Sequence, residues 1–165
     1  MQKILISACL MGQPVRYNGR DCLIEDDLLR RWRESGRLVP ICPEVAGGLG
    51  IPRPAAEIDK YDGERVWEGG ARVRTTTGLD VTRAFVQGAE AALRLAQHHQ
   101  IRMAVLKERS PSCGTRFIYD GSFQGRLVDG SGVTAALLNR HGITTFGEDR
   151  LQEAALFLAH LENRD

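Results

Sequence analysis

The sequence lacks an excess of charge of either sign. Its 165 residues include 22 Lys and Arg and 21 Asp and Glu, and no basic tail is visible. Because binding to a nucleic-acid backbone depends on clustered Lys and Arg, a polymeric nucleic acid is not a favoured partner. Free nucleobases and nucleosides remain compatible with this composition.

Long hydrophobic runs are also lacking. The longest apolar runs are far too short to span a bilayer, so we expect no membrane association. The segment Ile6-Ser-Ala-Cys9 resembles a lipoprotein cleavage site, but only Ile4-Leu-Ile6 precedes it, and a signal peptide needs a longer apolar region. We therefore expect a cytoplasmic protein, in which the four cysteines are buried thiols, metal ligands or catalytic groups rather than disulfides.

Several common site signatures are missing as well. No Cys-x-x-Cys pair of the kind found in structural zinc sites is present. The combined H-x-E and C-x-x-C pattern of zinc deaminases is missing too. The Gly-rich run at 46–50 matches neither the P-loop nor the dinucleotide fingerprint, so we interpret it as a loop that allows close backbone approach.

What the sequence does contain is an alternation of strand and helix patterns. Strands are predicted at 3–7, 38–41, 65–67, 72–75, 102–106 and 143–146, with Pro40 assigning the second to a sheet edge or a strand end. Helices are predicted at 25–34, 79–100, 133–140 and from Leu151 onward, and Asp120-Gly121 predicts a tight hairpin turn within 117–123. This order predicts one domain over residues 1–165, an α/β three-layer sandwich around a mostly parallel, Rossmann-like sheet.

Three cysteines follow predicted strands: Cys9, Cys42 and Cys113. The carboxyl ends of parallel strands share one edge, so these distant thiols can meet there. Three thiolates suit zinc or an iron–sulfur cluster. Cys22 and His141 are candidates for a fourth ligand, but a spare thiol and a helix-terminal imidazole are the preferred interpretations. Three ligands without a fourth fit either a cluster with one open iron or a zinc ion with one open position.

Polar residues flank these thiols. Glu44 lies two residues after Cys42, where a carboxylate either transfers protons or forms a surface ion pair. Ser110 and Ser112 either take part in the chemistry or stabilise the turn around Pro111. Lys107 and Arg53 either offset negative charge at the site or are solvated surface cations.

Six segments carry a resemblance to a known family. They are Ser7-Ala-Cys-Leu-Met-Gly12, Arg16-Tyr-Asn-Gly19, Cys42-Pro-Glu-Val-Ala-Gly-Gly48, Pro52-Arg53, Gly78-Leu-Asp-Val-Thr82 and Leu106-Lys-Glu-Arg-Ser-Pro-Ser-Cys-Gly114. Together they resemble the TudS thiouracil desulfidase family over nearly the whole chain, in a short form without a second domain.

The resemblance implies a cofactor and a reaction. The cofactor would be a [4Fe-4S] cluster held by Cys9, Cys42 and Cys113, with the fourth iron open. The enzyme would remove sulfur from thiouracil-like bases by non-redox hydrolysis, releasing sulfide and the oxo base. Glu44 would transfer protons, assisted by Ser110 in preference to Ser112.

The expected partner is therefore a small thiolated base or nucleoside. We expect Ser112, Lys107 and Arg53 to bind it. Two alternatives are a zinc-stabilised ligand-binding module and a zinc-dependent hydrolase of a heterocycle. The oligomeric state is not predicted.

Overall fold

The protein is described here from a computed structural model, in which residues 1–164 are placed. The strands are β1 (Ile4–Ser7), β2 (Leu38–Ile41), β3 (Ala56–Ile58), β4 (Val73–Thr75), β5 (Met103–Leu106), β6 (Phe117–Tyr119), β7 (Leu127–Asp129) and β8 (Thr144–Gly147). The α-helices are α1 (Asp27–Glu34), α2 (Pro43–Ala46), α3 (Gly63–Trp67), α4 (Thr82–His98), α5 (Val133–Arg140) and α6 (Leu151–Glu162). A 3₁₀ turn, Ala8–Met11, follows β1.

The central sheet is four-stranded and parallel, in the order β2-β1-β5-β8. Every residue of β1 and β5 is buried, as expected for interior strands of a sheet covered on both faces. Pro40 has no N–H to give to a neighbouring strand, and β2 is indeed an edge strand. The predicted edge position is therefore confirmed.

Alternate residues of β1 enter two separate cores. Ile4 and Ile6 pack with α1 and α6 on one face, through residues that include Leu29, Trp32 and Leu158. Leu5 packs on the other face with α4 and α5, through Ala92, Ala96 and Leu138. Helices therefore cover both faces of the sheet, and the predicted α/β three-layer architecture is confirmed.

The prediction for the excursion between β2 and α4 was partly wrong. Residues 65–67 belong to the helix α3 instead of a strand, because the Asp62 side chain accepts the Arg65 N–H and caps the helix N-terminus. The predicted strand at 72–75 is present as β4. Its antiparallel partner β3 was not predicted.

The predicted tight hairpin at 117–123 was also wrong. β6 pairs instead with β7, and residues 120–126 form a longer loop between them. In that loop the Gly121 and Phe123 N–H groups donate to Glu57 Oε1 at 2.9 and 3.2 Å. A tertiary contact from β3 thus overrides the local preference of Asp120-Gly121 for a two-residue turn.

Helix ends follow local capping. Helix α1 begins at Asp27, because Asp26 is its N-cap and accepts the Leu28 N–H at 2.7 Å. Helix α4 begins at Thr82, three residues later than predicted, after Asp80 accepts the Thr82 N–H and hydroxyl. Among residues 1–164, every helix is too short or too polar to traverse a lipid bilayer.

Candidate active site

One cavity of about 550 Å³ lies at the carboxyl edge of the parallel sheet. Cys9, Cys42 and Cys113 all line it. They lie in the segments that follow β1, β2 and β5, and these three strands are neighbours in the sheet. The thiols therefore converge at one rim, as the positions of the strands predicted, although their role as ligands stays a prediction.

Each thiol is positioned by a short, tight segment. Cys9 lies in the 3₁₀ turn directly after β1, and Cys42 is the N-terminal cap residue of α2. Cys113 lies in a turn in which Ser110 Oγ accepts the Ser112 and Cys113 N–H groups at 3.1 and 3.0 Å. The serine hydroxyl therefore fixes the backbone that carries the third thiol.

The protein environment disfavours charged thiolates. Burial and the neighbouring Cys22 and Cys42 raise the pKa of the Cys9 thiol to about 12. Burial likewise raises the pKa of Cys42 and of Cys113. Metal binding requires deprotonated thiols, so a group bound here must be strongly cationic and thiophilic to offset this cost of burial.

The three thiols are the candidate donors for a metal centre at this cavity. Within residues 1–164, no three Cys, His, Asp or Glu side chains come close enough together to bind one metal ion. The three thiols line the cavity together with Glu44, and three thiolates are donors that suit either an iron–sulfur cluster or zinc.

Glu44 also lines the cavity, from the first turn of α2. Burial raises the pKa of its carboxyl group, while Arg53, with Nε 3.4 Å from Glu44 Oε1, opposes that shift. The Arg53 guanidinium also donates to the carbonyls of Val15 and Gly50 at 3.0 and 3.1 Å. Arg53 thus joins two loops to Glu44 at the cavity wall.

The two serines differ in position. Ser110 lines the cavity, and since its oxygen accepts two backbone N–H groups, its own O–H remains to donate. Ser112 is only 1% exposed, lies with Oγ 2.8 Å from Thr134 Oγ1, and is not among the lining residues. Ser112 therefore packs inside the protein instead of facing the cavity, and its expected role in binding substrate stays a prediction.

Lys107 lines the cavity but is already paired. Its Nζ lies 2.8 Å from Glu148 Oε1 and 3.0 Å from the Glu108 carbonyl oxygen. The contact with Glu148 thus holds this ammonium group in a fixed position at the cavity wall. The two remaining candidate ligands have the ordinary roles preferred from the sequence. Cys22 packs against the core beside Cys9, and the His141 ring contacts the helix-terminal carbonyl of Leu137.

Two glycines allow helix α2 to pack closely against helix α4. A Cβ atom on Gly88 of α4 would lie 1.9 Å from the Pro43 carbonyl oxygen, and one on Gly47 would lie 2.0 Å from the Ala84 carbonyl oxygen. The two helix backbones therefore touch directly. This contact determines where Cys42 and Glu44 stand in the cavity.

Two buried carboxylates in the cavity wall were missed. Glu108 accepts hydrogen bonds from Thr115, Arg116 and Phe117. Burial opposes ionisation of Glu108, but these hydrogen bonds hold the pKa of its carboxyl below the usual value. Its position inside the Lys107–Gly114 segment was an available signal. Glu57, the second, gave no local signal, because the contacts that place it in the wall are formed only in the folded chain.

The chain is similar to known proteins over most of its length. The model of the 2-thiouracil desulfurase family matches residues 4–150. A curated relative, the uncharacterised protein YbbK of Bacillus subtilis, is 42% identical over 150 residues, which cover 91% of this chain and 98% of that protein. A solved structure described as the [4Fe-4S]-dependent thiouracil desulfidase TudS is 50% identical, with a TM-score of 0.88, and the match covers 96% of this chain and 99% of that one.

Proposed function

This chain belongs to the 2-thiouracil desulfurase family, and from that premise we propose that it is a [4Fe-4S]-dependent desulfidase of thiouracil-like bases. The reaction exchanges C=S for C=O, consumes one water and releases one hydrogen sulfide, so no electrons are gained or lost. The observation that carries the proposal is the convergence of three remote thiols and one carboxyl group on a single cavity.

Cys9, Cys42 and Cys113 are the proposed ligands. When bound, the cluster supplies a Lewis-acidic iron without a protein ligand, which suits the soft sulfur of a thiocarbonyl. Cys22 is not proposed as a ligand, because it is absent from the cavity lining.

Glu44 is the proposed proton-transfer residue. Its carboxyl group is partly buried beside Arg53, which orients one oxygen through the contact at 3.4 Å. Burial raises its pKa above the usual value of a carboxyl, which favours a group that both accepts and returns a proton. Glu44 takes a proton from the attacking water and returns it to the departing sulfur.

Ser110 and the basic residues assist. The free O–H of Ser110 donates to the substrate or to the attacking water at the cavity wall. Lys107 and Arg53 place positive charge beside the negative charge that develops during hydrolysis. Both are tied to carboxylates, so this charge is fixed in position.

The substrate is a small thiolated base or nucleoside in the cytoplasm. A cavity of about 550 Å³ lies in the range typical of small-molecule sites. A reducing compartment would preserve the free thiols, all four of which are unpaired with one another in the structure.

The test is sulfide release by protein purified and reconstituted without oxygen. We expect sulfide and the oxo base in equal amounts from 2-thiouracil or 4-thiouracil. The Glu44→Gln variant should keep its iron and lose most turnover. Colourless protein that contains stoichiometric zinc and releases no sulfide from either base would overturn the proposal.

A further inference from the structure

A second carboxylate, Glu57 of β3, lines the same cavity. Its residue is 8% exposed, and within residues 1–164 it makes no ion pair. Buried carboxylates are normally satisfied by cations or by several hydrogen-bond donors. The partners of each of its oxygens therefore decide what it does.

The two oxygens of Glu57 are used differently. Oε1 accepts the N–H groups of Gly121 and Phe123 at 2.9 and 3.2 Å. Oε2 has no hydrogen-bond partner in the described part of the chain. No fully buried side-chain oxygen among these residues lacks a partner, so Oε2 is not fully buried, and Glu57 is part of the cavity lining. It offers an unused, charged hydrogen-bond acceptor to a ligand.

The same residue orders an aromatic wall. Phe123 has a φ of 57°, a left-handed conformation that is unfavourable for a bulky side chain. The hydrogen bond to Glu57 stabilises this conformation, and Phe123 and Tyr119 both line the cavity. Ring surfaces beside an acceptor match a planar heterocycle that carries an N–H on its edge.

We propose that Glu57 binds the substrate base by accepting its N3–H at Oε2, and so determines specificity for bases with a free N–H at that position. This inference rests on the proposed function. N3–H adjoins both ring carbons that can carry sulfur in a thiouracil, C2 and C4. It also remains free in a nucleoside, in which N1 carries the sugar. An ionised carboxylate accepts and cannot donate, so it selects against a substituted or deprotonated N3.

The test measures binding of oxo products, which are not turned over, to reconstituted wild-type protein and the Glu57→Gln variant. In this variant the amide oxygen can still accept from Gly121 and Phe123, but an NH₂ donor replaces the acceptor facing the cavity. The dissociation constants of uracil, 1-methyluracil and 3-methyluracil are measured by equilibrium dialysis. The exposed Glu90→Gln is the matched control, and thermal unfolding of each variant checks its fold.

We expect wild-type protein to bind uracil about 10- to 100-fold more tightly than 3-methyluracil, the range for one hydrogen bond to a charged group. 1-Methyluracil should bind nearly as well as uracil. In Glu57→Gln the preference for uracil over 3-methyluracil should fall to about threefold or less, while Glu90→Gln keeps it.

Equal binding of uracil and 3-methyluracil by the wild-type protein overturns the inference without any variant. Failure of the wild-type protein to bind uracil overturns it as well. A preference that persists in Glu57→Gln also overturns it. If that variant does not fold, Glu57→Asp replaces it, since its shorter side chain should also reduce the preference. If the wild-type protein releases sulfide but gives any of these negative binding results, the inference about Glu57 fails and the proposed function stands. If the wild-type protein releases no sulfide, the proposed function itself is contradicted.

Discussion

Replacing Gly88 with alanine should damage the candidate site from a distance. Gly88 lies inside α4, and its missing side chain allows α2 to approach until an added Cβ would lie 1.9 Å from the Pro43 carbonyl oxygen. The obstacle is backbone, which cannot turn aside as a flexible side chain would. Helix α2 must therefore move, and it carries Glu44 and is capped by Cys42.

The size of the effect follows from two opposing contributions. In an exposed helix interior, Gly→Ala stabilises by about 1 kcal/mol. Here α2 must shift by about 1.5 Å to reach ordinary contact with the added methyl group, and overpacking of this kind costs about 1–3 kcal/mol. We expect net destabilisation of up to about 2 kcal/mol, a fall in Tm of about 4–8 °C, and a loss of turnover of about 100-fold from misplacement of about 1 Å.

The assay combines thermal unfolding, iron content and sulfide release. Gly50→Ala is the matched control, because it makes the same chemical change in the Gly-rich segment, where an added Cβ would meet nothing closer than 3.9 Å. We expect Gly50→Ala to behave like wild type. A Gly88→Ala protein as stable and as active as the control would refute the inferred packing of α2 on α4.

The remaining predictions concern Glu108, Glu44 and Ser112. Glu108→Gln should lower the free energy of unfolding at pH 7 by about 1–3 kcal/mol, because it removes a charged acceptor of several hydrogen bonds. Since the pKa of Glu108 is held below its usual value, its stabilisation is present above the pKa of an unfolded Glu and lost as the pH falls through the folded pKa. The difference in urea unfolding between this variant and wild type should thus be smaller at pH 3 than at pH 7, and a difference that persists undiminished at pH 3 would contradict it. Glu44→Gln should lower kcat about 10²- to 10⁴-fold with unchanged iron content; wild-type kcat would remove Glu44 from the reaction. Ser112→Ala should lower Tm and leave KM unchanged, because its hydroxyl bonds Thr134 inside the protein; a raised KM with an unchanged Tm would place it at the substrate.

The fold was predictable from the sequence where the local hydrophobic pattern of a segment matches its burial in the folded protein. The apolar runs that became β1 and β5 are buried on both faces, so their composition alone indicated a parallel sheet. The hairpin prediction at Asp120-Gly121 was wrong because Glu57, more than sixty residues earlier, binds the loop. The strand prediction at 65–67 was wrong because the Asp62 cap outweighs the apolar residues that follow it.

The same distinction explains the candidate site. Cys9, Cys42 and Cys113 could be placed together because each lies in a segment that follows a strand of the sheet, and the carboxyl ends of neighbouring parallel strands share an edge. Glu57 could not be assigned to the site from the sequence. It lies in the β3–β4 ribbon, and strand β3 was not predicted from the hydrophobic pattern. The resemblance already favoured Ser110 over Ser112 for the chemistry, and in the structure the packing of Ser112 against Thr134 separates the two serines.

The most direct measurement is the iron and acid-labile sulfide content of anaerobically purified protein, with its visible absorption spectrum, in four Cys→Ser variants. If Cys9, Cys42 and Cys113 hold a [4Fe-4S] cluster, each of these substitutions should abolish or sharply reduce iron, sulfide and the brown absorption. Cys22→Ser, which changes the one cysteine outside the cavity lining, should retain about four irons and four sulfides per chain, as in the wild type. Full iron content in any of the first three variants, or its loss in Cys22→Ser alone, would contradict this assignment of the site.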